Sequence, residues 1–121
     1  MRKRKKQYLY TVWETNVEIK FEKEYLRELY EIGKTTDKKR RFQPQVVSKY
    51  KKTVIILKSV REVEDLFRYN GLHYEALHGD KEGLESVRVN DQYRIEFKIT
   101  KVVSETLVTI CNILELSNHY K

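Results

Sequence analysis

The sequence predicts an α+β domain, with two to three N-terminal helices packed on one face of a mainly antiparallel sheet. Three observations carry this. Before Asn70 the apolar residues recur mainly three and four apart, and after Gly71 they alternate or run continuously. The chain has 121 residues, 40% of them hydrophobic, enough for one domain with a real core. It shows no repeats and no Pro/Gly/Ser-rich linker, so nothing divides it.

Residues 1–6 are almost wholly basic and read as an arm without fixed structure. Tyr8 to Trp13, rich in aromatic and β-branched residues, reads as a short strand. In Asn16 to Phe21, Val17, Ile19 and Phe21 alternate with Glu18 and Lys20, the pattern of a half-buried strand. Phe21, Tyr25 and Leu29 then step by four, with Leu26 and Ile32 widening the stripe, and Gly33 suits the helix C-cap. Lys34 to Arg41 is a charged loop. Pro44 opens a second helix, in which Val46, Val47, Tyr50, Val54 and Leu57 share one face. The β-branched run Thr53 to Ile56 opposes that reading, but the period outweighs propensity. Ser59 or Val60 breaks it. Val63, Leu66 and Phe67 form a third short helix or an extension, stopped at Asn70-Gly71. Leu72 to Gly79 is a short strand, and Gly79 to Gly83 a turn. Two strands follow, Leu84 to Asn90 and Gln92 to Ile99. Glu105 to Leu116 is a long strand, apolar on both faces.

Charged residues make up 36% of the chain, and the formal net charge is +7. The pI is near 9.4. Such a balance suits an anionic partner: nucleic acid, an acidic protein or an anionic membrane. A single cysteine, Cys111, excludes a disulfide framework and a cysteine-rich zinc site. The N-terminus lacks a signal-peptide h-region, and no segment reaches membrane-spanning length. A soluble cytoplasmic protein without membrane partners is expected.

The stretch Ser86 to Phe97 carries Arg88 and Arg94 among alternating apolar residues. An odd loop, Asn90-Asp91-Gln92, pairs Val89 with Tyr93 and Val87 with Ile95. The apolar residues then share one face, as register normally demands. Arg88 falls opposite Arg94 on the other face, and like charges so placed repel. Either Glu96, Glu85 or Glu75 neutralises the pair, or the face binds phosphate, whose oxygens suit two guanidinium forks.

Here the residues match a known pattern. Leu72 to Asp80, Ser86 to Phe97, the terminal Leu116 to Lys121 and the earlier Phe21 to Lys34 occur in order and at suitable spacing. Together they resemble the plasmid-maintenance killer proteins of the HigB group, in the RelE/ParE toxin superfamily. The likeness covers residues 16–121, leaving 1–15 as a basic extension. It implies a microbial-RNase-like fold and ribosome-dependent cleavage of mRNA. It also implies a HigA-like helix-turn-helix antitoxin, and operator DNA bound indirectly through that antitoxin.

Metal-free RNA cleavage needs a base for the 2′-hydroxyl, an acid for the leaving oxygen and cations for the phosphorane. No Asp/His cluster has metal-ligand spacing, so a metal-free, cofactor-free route is expected. His119 is the candidate acid or base, Tyr120 an orienting group or proton donor, and Arg94 the transition-state cation. Arg88, Lys81 and His78 are candidate RNA or phosphate contacts. Where some family members end Asp-Tyr-His, this chain has Asn118-His119-Tyr120; Glu115 is a candidate substitute for the absent carboxylate that strand parity does not place, so the base is unassigned. Two further readings remain: a ParE-like DNA gyrase poison, and a non-catalytic member acting only in antitoxin-linked transcriptional control.

Overall fold

The structure, a computed structural model, describes residues 16–103 and 107–118. The expected arm at 1–6 and strand at Tyr8 to Trp13 lie outside the described residues, as do His119 and Tyr120.

The order is β1 (Asn16–Phe21), α1 (Glu24–Glu31), α2 (Pro44–Ser59), β2 (Glu75–Ala76), β3 (Glu85–Arg88), β4 (Tyr93–Val103) and β5 (Leu107–Asn118). Short 3-10 turns fill the gaps, at Lys38–Arg40, Val63–Arg68, Asn70–Leu72 and Gly79–Lys81. The sheet order is β1-β5-β4-β3-β2. Only β1 and β5 pair in parallel; the other neighbours are antiparallel. This is the expected fold class.

Both helices cover one face of the sheet. From α1 come Tyr25, Leu26 and Leu29, and from α2 Val46, Val47, Tyr50, Val54 and Leu57. They meet Val87, Ile95, Phe97, Cys111, Ile113 and Leu116 from the strands. Burying each large apolar side chain stabilises the fold by about 1.5–3 kcal/mol. Tyr50 is fully buried, and its hydroxyl donates to the Leu26 carbonyl at 2.7 Å, tying α2 to α1. Burial pushes its phenol far above the usual range. Pro44 is the first residue of α2, where its missing N–H costs nothing. Gly33, at φ +93°, takes the left-handed turn that ends α1, and its N–H donates to the Glu28 carbonyl.

Four expectations need correction. Phe21 belongs to β1, not to the helical stripe, and Ile32, past the end of α1, is 59% exposed. The third helix is a 3-10 segment, whose three-residue turn aligns Val63 with Leu66 and swings Phe67 out to 63% exposure. The strand expected over Leu72 to Gly79 shrinks to Glu75–Ala76, because 3-10 turns take up both ends.

The hairpin register is the expected one: Val87 opposes Ile95 and Arg88 opposes Arg94. The Val89 N–H donates to the Tyr93 carbonyl at 2.9 Å, closing the three-residue loop. Between β4 and β5 there is a bulge. Glu96 opposes Glu115, yet Phe97 opposes Ile113, so Leu114 is an extra residue. Below it Cys111 and Ile113 face the core. Above it Leu116 does, and Glu115 and Ser117 turn to the uncovered face.

Candidate active site

The sheet face opposite the helices carries a cleft of about 680 Å3. Alternation puts Ser86, Arg94 and Glu96 on this face, because Val87, Ile95 and Phe97 fill the core. The bulge adds Leu114, Glu115 and Ser117, while Glu75 and Leu77 contribute from the β2 edge.

Arg94 sits in the wall. Its Nε donates to Ser86 Oγ at 2.9 Å, and one terminal nitrogen donates to the His73 carbonyl at 2.6 Å. His73 is the one non-glycine residue in the left-handed region among those described, at φ +44°. That conformation is uncommon for histidine and persists only where surroundings fix it. Here it directs a carbonyl at the guanidinium. Both partners are neutral, and no ion pair to Arg94 forms among the described residues. Burial draws its pKa below the ordinary arginine value; the Glu75 carboxylate opposes that and Arg88 reinforces it. It stays protonated at neutral pH, with further N–H donors unused among the described residues.

The nearby carboxylates divide clearly. Glu96 accepts from Lys81 at 2.6 Å, and Glu85 from the Tyr74 hydroxyl at 2.5 Å. Glu115 gathers Lys23 at 2.7 Å, Arg40 at 3.1 Å and the Tyr25 hydroxyl at 3.1 Å. Burial is the largest single influence on Glu115 and raises its pKa. Lys23, Tyr25 and Arg40 together outweigh it and hold the carboxyl below the usual range. Burial pushes the Tyr25 phenol up to about 12, so it remains a donor. Glu75 opposes Ser86, the residue that holds Arg94, and makes no ion pair among the described residues.

Of the residues singled out from sequence, Arg94 and Lys81 line the cleft. Arg88 stands opposite Arg94 but turns to Asp91 of its own hairpin loop and does not line it. None of the three expected glutamates neutralises Arg88. His78 is 82% exposed beside Glu82 at 3.7 Å, next in the chain to the cleft residue Leu77. His119 and Tyr120 lie outside the described residues. Ser86, His73 and Ser117 were not anticipated, and Glu115, a candidate substitute for the missing carboxylate that strand parity left unplaced, lines the cleft. Ser86 was within reach, since the hairpin register puts it on the arginine face.

No curated protein matches the chain. Among solved structures it is similar to a YoeB/ParE toxin from Agrobacterium tumefaciens, at 17% identity and a TM-score of 0.49. That match covers 85% of this chain and 99% of the other. It is also similar to a YafQ mutant from E. coli, at 12% identity and a TM-score of 0.45, covering 84% and 92%. A family model described as the RelE-like toxin of type II toxin-antitoxin system HigB matches residues 19–110. That span runs from β1 into β5 and holds Arg94, Arg88, Lys81 and His78, and the chain belongs to this HigB-like family of RelE-like toxins.

Proposed function

We propose that this toxin inhibits translation as a ribosome-dependent mRNA endonuclease that needs no metal, with the scissile phosphate held in the cleft. The observation that carries this is Arg94: a partly desolvated guanidinium with only neutral partners, facing an open cleft. A cation so placed is preorganised for charge that develops on a phosphorane.

Glu75 takes the role of base. It removes the 2′-hydroxyl proton as that oxygen attacks phosphorus. The bond to the 5′-oxygen breaks, and His119 supplies the proton that oxygen needs, leaving a 2′,3′-cyclic phosphate and a 5′-hydroxyl. Tyr120 orients the phosphate. In the chain both follow directly on Asn118, which opposes Tyr93 at the end of the cleft strand. Lys81, Arg88 and His78 contact flanking RNA. As a type II toxin the chain has an antitoxin partner. We take that partner to be a HigA-like helix-turn-helix protein that carries the complex to operator DNA.

The test is mapping of mRNA 5′ ends after induction. Cuts in phase with codons are expected, falling by about 100- to 1,000-fold in Arg94→Ala. They should also fall in Glu75→Gln and His119→Ala. A phosphorothioate at the cut site should slow cleavage with no rescue by thiophilic cations. Intact mRNA together with blocked gyrase supercoiling would overturn the reading.

A further inference from the structure

The outward face of α2 lies across the sheet from the cleft and is basic along its length. Its sixteen residues include Lys49, Lys51, Lys52 and Lys58 and no acidic residue. That is four positive charges, against a net +7 for the whole chain. In α1, by contrast, Arg27 is paired with both Glu24 and Glu31. None of the four α2 lysines pairs with a carboxylate among the described residues. Lys49, Lys52 and Lys58 are exposed, and Lys51 is half-buried.

Their placement is ordered. At 3.6 residues per turn, the exposed arc opposite Tyr50 and Val54 has Lys52 at its centre, with an uncharged strip of Ser48, Ile55 and Ser59 next to it. Lys49 and Lys52 flank this uncharged ridge on one side, and Lys51 and Lys58 on the other. Ile55, at its middle, is 53% exposed. From Lys49 to Lys58 the helix rises about 13 Å. A ridge of small and apolar groups between two rows of cations matches a shallow groove between two phosphate strands. The wide minor groove of double-helical RNA is such a groove, with 2′-hydroxyls on its floor within reach of Ser48 and Ser59.

We propose that the α2 face is a second RNA-binding surface, which grips the backbone of double-helical RNA while the cleft acts on a different strand. It rests on the nuclease reading only in taking RNA as the polyanion. Because the sheet separates the two surfaces, one single strand in the cleft does not account for both.

The test uses the full chain and a labelled hairpin RNA, with binding measured across a range of salt. Lys49→Gln, Lys52→Gln and Lys58→Gln combined should weaken hairpin binding at least tenfold near 100 mM salt. The log–log salt slope should fall by about two to three units, as for three lost phosphate contacts. The matching Lys→Arg triple should bind like the parent. Unchanged melting of the Gln triple confirms that it folds. If that triple binds the hairpin as the parent does, the proposal falls, even where it loses affinity for the antitoxin instead. Lysine-dependent hairpin binding without any mRNA cuts would sink the nuclease reading and leave this surface standing. Codon-phased cuts with lysine-independent binding would do the reverse.

Discussion

Arg88 and Arg94 oppose each other across one hairpin, yet their electrical surroundings differ. Arg88 is answered by Asp91 in its own loop, while Arg94 is held by two neutral oxygens. The opposition was legible, because a period of two and one buried face leave a single register. The difference was not, because an i,i+3 contact in a loop depends on rotamers that sequence spacing does not set. Arg94→Lys should therefore fail nearly as badly as Arg94→Ala in the cleavage assay, since a point charge cannot keep both anchoring bonds and still present a fork. Glu115 ties β5 to Lys23, Tyr25 and Arg40. Its folded-state pKa is depressed, so its contribution is complete above the ordinary glutamate value of 4.5 and is lost as pH falls through the folded value. Glu115→Gln should cost about 1–2 kcal/mol at pH 7. In denaturant titrations the gap from the parent should close as pH drops below that point.

At the scale of elements, the bulge at Leu114 is what sequence reading could not supply. Strict alternation puts Glu115 on the same face as Cys111 and Ile113, which is the core. One extra residue reverses the parity, so Leu116 becomes the buried residue and Glu115 joins the cleft. A long run apolar on both faces conceals such a break, because no polar residue marks the change of side. Deleting Leu114 should force Glu115 and Ser117 inward or slip the end of β5. Equilibrium unfolding should show a loss of about 3 kcal/mol or more, the scale of an uncompensated buried charge. The helices were easier to read: their stripes are long, and Gly33 and Pro44 mark their ends. The 3-10 segment was misread because short apolar spacings suit both helix types.

For the whole molecule, the two-layer plan followed from the order of periods along the chain, while the strand order did not. Parallel pairing of the first strand with the last leaves no local signature. The two layers also separate the core from the cleft. Phe97→Ala, at a fully buried position, should cost about 3–5 kcal/mol and abolish toxicity by unfolding. Arg94→Ala should lower the proposed cleavage by about 100- to 1,000-fold while melting within about 1 kcal/mol of the parent. The place of β5 has one more consequence. It is the last described element to be synthesised, yet it lies between β1 and β4 and supplies one wall of the cleft. Until β5 clears the exit tunnel, β1 has no strand to pair with and the cleft no far wall. A nascent chain therefore has no complete cleft until its last described strand is in place, by the order of its strands alone.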